Sequence, residues 1–151
     1  MSPQHATAEG DAMTPDEAIA ELIKKEYGWS RQTLEVWRRA GFKCEYCTAP
    51  TDLLASSDAY FRGAHLDHIV PGAGDHIDNL ALACAACNYL KRGTDPSSQV
   101  PGTPAPRNEL IAAARRIVEG RRTTAQQRLA KALPFLEVLR AAGPAPLPDG
   151  K

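Results

Sequence analysis

Apolar positions recur at helical spacing near both ends of the chain and cluster into short strand-like runs between them. After Thr14, the residues Ile19, Leu22, Ile23 and Tyr27 fall on one face of a helix that stops before Gly28. Thr14 suits the N-cap, Pro15 the first helical position, and Glu17 completes a capping box. This helix is read as a packing element with no direct part in chemistry. A second helix is predicted from a Ser30 cap to Ala40, with Leu34 and Trp37 inward and Gly41 at the stop. Residues 64–70 and 79–83 read as short strands separated by the turn-rich run Pro71 to Asp75. Residues 84–92 should form a short helix closed by Gly93. The following stretch to Arg107, rich in Pro, Ser, Gly and Thr, reads as a linker or meandering surface loop. From an Asn108 cap, Leu110, Ala113, Ala114, Ile117 and Val118 make a helical stripe up to Gly120. A further helix is expected after Thr124, which with Gln127 resembles a capping box. Its Leu129, Leu133, Leu136 and Leu139 should face inward, and Pro134 should kink or restart it.

The chain of 151 residues has room for one modest core. The expected organisation is a disordered N-terminus (1–13), a single domain (14–142) with its core at 44–93 and helical flanks at 14–40 and 108–142, and a disordered tail (143–151). No internal repeat points to a solenoid. Formal charge is zero, so the chain is not a general polycation, yet residues 106–142 carry eight bases against three acids. Screening over about 8 Å hides the acidic end from the basic one, so a local patch can still bind phosphates. Arg38, Arg39 and Lys43 form a second small cluster, read equally well as phosphate contacts or as a solvated helix end. No signal-like apolar core lies within residues 1–13, and no run approaches the ~20 apolar residues of a membrane span. A cytoplasmic, soluble protein is expected.

Four cysteines occur as two Cys-x-x-Cys pairs, Cys44/Cys47 and Cys84/Cys87. In a reducing compartment such pairs are metal ligands more often than disulfides, and the two-residue spacing lets both sulfurs reach one tetrahedral zinc at ~2.3 Å. The pairs are separated by 36 residues, more than the ~15 to 20 of a simple four-cysteine module. The intervening segment contains His65, Asp67, His68 and Asn79. A thiol-redox role for the pairs is the least favoured reading.

The polar residues of this segment suit phosphodiester hydrolysis, which needs an activated water, a charge sink and help for the leaving oxygen. A neutral imidazole with an ordinary pKa of about 6.5 is matched to taking a proton near neutrality, which suits His68. A carboxylate and an amide carbonyl are hard oxygen donors, which suits Asp67 and Asn88 to Mg²⁺ or Mn²⁺. His65 and His76 are read as bystanders, with support of the site or lining of its groove as the alternative, and Trp37, Phe42 and Tyr46 as core around the cysteines.

Asp67-His68-Ile69-Val70-Pro71, Asn79-Leu80 and Cys84-x-x-Cys87-Asn88-x-x-Lys91 together resemble the HNH endonucleases of the ββα-metal fold, over about residues 44–93. The resemblance implies an α+β protein with a small ββα core and zinc knuckles, flanked by helices. It implies His68 as general base, Asp67 and Asn88 as ligands of a catalytic Mg²⁺ or Mn²⁺, Asn79 as the brace of the loop and of the His68 backbone, and Cys44, Cys47, Cys84 and Cys87 as holders of structural zinc. Lys91 and Arg92 would meet substrate phosphates. Asn88 stands where the family's name implies a last histidine, and Arg92 where some members place another metal-binding one, so the pattern is of the His-Asn-Asn kind and favours Mg²⁺ or Mn²⁺ over a catalytic transition metal. Asp67 and His68 would point to opposite faces of a regular strand, so a bend or strand end is expected there. The implied activity is cleavage of DNA, with RNA left open, to 5′-phosphate and 3′-hydroxyl ends. The alternative is a zinc-stabilised nucleic-acid-binding module without catalysis, and behind it a structural zinc domain serving a protein partner. Monomer and homodimer are both compatible with the sequence.

Overall fold

Two short strands pair between two sets of helices. The computed structural model describes residues 12–47 and 63–144; the termini expected to be disordered lie outside them except for residues 12, 13, 143 and 144. Helix α1 spans Pro15–Lys24 and α2 Arg31–Arg39; strand β1 is His65–His68 and β2 Leu80–Ala83; α3 is Ala85–Lys91 and α4 Arg107–Ala142. Four helices and a two-stranded antiparallel sheet make the described chain α+β.

The N-terminal helices follow their local signals. Thr14 accepts a hydrogen bond from the Glu17 backbone while the Glu17 carboxylate takes the Thr14 N–H at 2.7 Å, closing the capping box. Ser30 caps α2 through the Thr33 N–H at 3.1 Å. In the sheet, His65 pairs with Ala83, Leu66 with Leu82, Asp67 with Ala81 and His68 with Leu80. Alternation along β2 divides the core. Leu80 and Leu82 join Ile19, Leu34, Val36 and Trp37 of α1 and α2 in one buried cluster. Ala81 and Ala83 face the other way, toward Cys44, Tyr46, Cys87 and the α4 residues Ile111, Ala114 and Val118. Both faces of β2 are therefore covered, which explains its run of four apolar residues. Burying each leucine contributes roughly 1.5–3 kcal/mol, so β2 is the seam joining the two halves. Trp37 and Phe42 pack in the α1–α2 cluster rather than around the cysteines; of the three aromatics, Tyr46 alone lies in the cysteine cluster.

Three expectations are corrected. Of the two readings of the stretch after Gly93, the surface loop holds and the free linker does not: Pro96–Gln99 forms a 3₁₀ turn that packs on α4, with Pro96 and Val100 buried. The C-terminal region is one helix of 36 residues, beginning after Pro106 instead of at an Asn108 cap and unbroken at Gly120 and Pro134. Thr124 does not cap a new helix because its hydroxyl donates back to the Gly120 carbonyl at 3.0 Å, a bond made inside a continuing helix. The predicted inward face of the distal half is also absent, since Leu129, Leu133, Leu136 and Leu139 are all exposed.

Candidate active site and metal centre

The cysteines converge although the chain between the two pairs is long. Glu45 donates its N–H to the Leu82 carbonyl at 2.8 Å, and the Glu45 carboxylate accepts the Leu82 N–H at 2.9 Å, pinning the first pair beside the end of β2. Glu45 also meets Arg107 at 2.8 Å and Arg39 at 3.6 Å, tying α2 and the start of α4 to the same point. Cys84 N-caps α3, accepting the Cys87 N–H at 3.4 Å, and Cys44 accepts the Tyr46 N–H at 3.4 Å. All four sulfurs lie within 4.8 Å of one another. A tetrahedron with ~2.3 Å zinc–sulfur bonds has sulfurs roughly 3.8 Å apart, so the four thiols fit zinc after a small contraction. Hydrogen bonds from Cys44 and Cys87 draw the Cys84 thiol well below the ordinary cysteine range. Burial and the charge of Cys44 push Cys47 up to about 11, and hydrogen bonds to Cys44 and Cys84 push Cys87 higher still. A divalent cation would replace these shared protons with four thiolates. Arg122 from α4 donates to the Cys87 sulfur at 3.2 Å, supplying a positive neighbour for that charge.

Beside the cysteines lies a polar cluster built on the ends of β1 and α3. Lys91 has a fully buried side chain, and its ammonium reaches the Asp67 Oδ2 at 2.9 Å and the His68 carbonyl at 2.7 Å. Tyr46 donates its hydroxyl to the same Asp67 oxygen at 2.7 Å. Burial first, and then the Asp67 charge, hold the Tyr46 hydroxyl protonated far above the usual tyrosine range. Lys91, read from the sequence as a phosphate contact, is thus turned inward against Asp67. Asn88 sits three residues earlier on α3, so helical spacing places it on the same side as Lys91.

His68 is the last residue of β1, where the expected strand end falls. Alternation places it on the face opposite Asp67, and its ring is 44% exposed. Its Nε2 lies 2.5 Å from Asp75 Oδ1. Gln32 of α2 donates to the Asp75 carbonyl, fastening the Asp75 backbone to the helix. Asn79 is buried and its amide organises the loop between the strands: Oδ1 accepts the Val70 N–H at 2.9 Å, and Nδ2 donates to the carbonyls of Val70 at 3.0 Å and Gly74 at 2.9 Å. Its own carbonyl accepts the Ile69 N–H at 2.8 Å. Gly72 and Gly74 supply the positive φ values that this tight path requires.

The remaining candidates lie outside this cluster. Arg92 ends α3 in a left-handed conformation, its guanidinium 4.1 Å from the Tyr89 ring centre. His65 and His76 are exposed, the latter on the rim of a cleft of about 450 Å³ shared with Asn79 and Arg107. Arg39 is a structural tie, donating to the carbonyls of Ile77 at 2.9 Å and Leu80 at 2.5 Å, while Arg38 faces Asp16 at 3.4 Å. Sequence reasoning missed Glu45, Tyr46 and Asp75 as members of the site. Only Asp75, an acid closing the glycine-rich turn of residues 71–75 a few positions after His68, left a local signal.

The comparisons with known proteins agree with the motif. Residues 44–93 match the family model described as HNH endonuclease. No curated protein and no solved structure matches the chain. No helix among the described residues is long and apolar enough to cross a membrane.

Proposed function

We propose that this HNH domain is a metal-dependent endonuclease that hydrolyses DNA phosphodiester bonds, with His68 as the general base. The match at residues 44–93 indicates a nuclease or nucleic-acid-binding function; the state of His68 favours catalysis. Its ring is half exposed at a strand end, and Asp75 engages Nε2 at 2.5 Å. With the proton on Nε2 and donated to Asp75, Nδ1 is left as an unprotonated acceptor for a water proton. Binding alone does not require an imidazole in this position, whereas a general base does.

Asp67 and Asn88 are the proposed holders of a Mg²⁺ or Mn²⁺ ion. Tyr46 and Lys91 both take Oδ2 of Asp67, and among the described residues Oδ1 keeps no partner, so the donor set of one carboxylate oxygen, one amide oxygen and waters suits a hard cation. Such an ion, when bound, polarises the scissile phosphate and stabilises the charge on the leaving oxygen. Asn79 holds the loop that carries Asp75 and so sets the orientation of His68. Lys91 holds the His68 carbonyl and neutralises Asp67. The four cysteines hold a structural zinc, and the site sits in an expectedly cytoplasmic protein.

Supercoiled plasmid incubated with the purified protein tests the reading. Nicking that requires added Mg²⁺ or Mn²⁺ and yields 5′-phosphate and 3′-hydroxyl ends is expected. DNA binding without cleavage under every metal condition would transfer the assignment to the non-catalytic binding module.

A further inference from the structure

Of the twelve arginines in this protein, six face a carboxylate or bond to the Glu45 backbone. Arg31, Arg38, Arg39, Arg107 and Arg122 each face a carboxylate. Arg115 donates to the Glu45 carbonyl at 2.7 Å. Three others converge differently. Arg92, Arg121 and Arg128 line one cleft of about 560 Å³, together with Tyr89, Leu90, Thr124 and Ala125, where α4 passes the C-terminal end of α3. Among the described residues no acidic side chain lines it.

Each guanidinium keeps its charge for something outside the fold. Arg121 donates to the carbonyls of Leu90 at 2.6 Å and Lys91 at 2.8 Å and to the Thr94 hydroxyl at 2.7 Å, all of them neutral groups. It closes the end of α3 and remains cationic. Arg92 lies over the exposed Tyr89 ring, which orients it without cancelling its charge. Arg128 is exposed and has no ion pair among the described residues. Three unneutralised cations around one concave surface raise its local potential and favour an anion with several charged oxygens.

We infer that the Arg92–Arg121–Arg128 cleft binds the phosphodiester backbone of the nucleic acid beside the bond that is cut. Three of the residues lining the cleft, Tyr89, Leu90 and Arg92, follow Asn88 within four positions of α3 and its cap, so the cleft is close enough to the proposed metal site for one strand to reach both. Arg121 and Arg128 belong to α4, beyond residues 44–93, so the C-terminal helix adds a backbone clamp to the HNH core. The inference rests on the nuclease reading for its substrate, but it concerns binding and is separable from catalysis.

The test is fluorescence anisotropy with a labelled duplex, in the full-length His68→Ala background without added Mg²⁺ or Mn²⁺, over a series of salt concentrations. Arg92→Gln and Arg128→Gln are combined; Arg121 is left in place because it secures α3. Each lost phosphate contact lowers the slope of log K against log salt by about 0.9, so the double variant should flatten it by about 2. Arg140→Gln, a charge change far along α4, should leave the slope as it was. Thermal melting of each variant shows that folding is intact. A double variant with the unaltered slope and affinity overturns the cleft assignment while leaving the nuclease reading standing. A flattened slope, together with a wild-type protein that nicks no DNA under any metal condition, supports the clamp and removes the nuclease reading. No DNA binding by the parent protein removes both.

Discussion

Replacing Lys91 by Met should destabilise the protein far more than an ordinary surface charge would. The Lys91 side chain is fully buried and the Asp67 carboxylate is 12% exposed, with 2.9 Å between them. Methionine keeps the apolar stem and leaves the Asp67 charge without its cation. Removing one partner of a buried pair costs about 3–5 kcal/mol, where an exposed pair would cost about 0–1 kcal/mol. The lost bond to the His68 carbonyl adds about 1 kcal/mol. With a urea m-value of about 1.5 kcal/mol/M, a loss of about 5 kcal/mol moves the unfolding midpoint down by about 3 M. The same zinc-loaded protein with Asp67→Asn provides the control. Because Asn carries no charge to strand, the double variant should be more stable than Lys91→Met alone, with a coupling energy above about 1 kcal/mol. A loss below about 1 kcal/mol in Lys91→Met, or strict additivity of the two changes, would refute the buried pair as the element that holds β1 to α3.

Other consequences are accessible to similar measurements. Tyr46→Phe should cost about 1.5–3 kcal/mol near neutrality, since the hydroxyl donates to a charged carboxylate. Tyr46 also gives a pH signature: its folded pKa is raised, so the unfolded chain loses this proton first above about pH 10. Stability contributed by Tyr46 is therefore complete below that pH and falls above it by about 1.4 kcal/mol per pH unit; equal alkaline slopes for wild type and Tyr46→Phe would exclude this origin. Asn79→Ala removes three side-chain hydrogen bonds at a buried position and should cost about 2–4 kcal/mol by chemical denaturation; a change within about 0.5 kcal/mol, the size of an ordinary surface effect, would show that the loop holds itself. Cys84→Ser should abolish stoichiometric zinc and the cooperative melt together, because apparent zinc-binding energies of about 10–16 kcal/mol rival the whole stability of a domain. A Cys84→Ser protein that melts like wild type would argue against a folding role for the metal.

What could be read in the sequence was what depends on near neighbours. The Thr14 capping box, the Ser30 cap, and Cys84 at the start of α3 each act within three residues, and each appears where its local pattern puts it. The Cys-x-x-Cys pairs were legible because one ion imposes their spacing. Contacts across long separations were not legible. Tyr46 meets Asp67 across 21 residues, Arg107 meets Glu45 across 62, and Arg115 reaches the Glu45 carbonyl across 70. Glu45 in sequence is only an acid between cysteines. The break expected at Gly120 failed because glycine is a weak stop signal when the neighbouring backbone keeps its helical bonds and Arg121 anchors the middle of the helix to α3; Pro134 removes one helical hydrogen bond, yet the helix runs past it to Ala142. Lys91 looked like a surface cation of a helix end, and only the proximity of β1 explains its burial.

The most direct measurement compares wild type with His68→Ala for metal-dependent nicking of supercoiled DNA, with zinc content and thermal melting recorded on the same preparations. His68 is half exposed and its side chain contacts Asp75, so the substitution should leave fold and zinc intact. The account predicts that nicking disappears, since general-base loss typically costs about 10²–10⁴-fold. Undiminished nicking by a folded, zinc-loaded His68→Ala protein would contradict it.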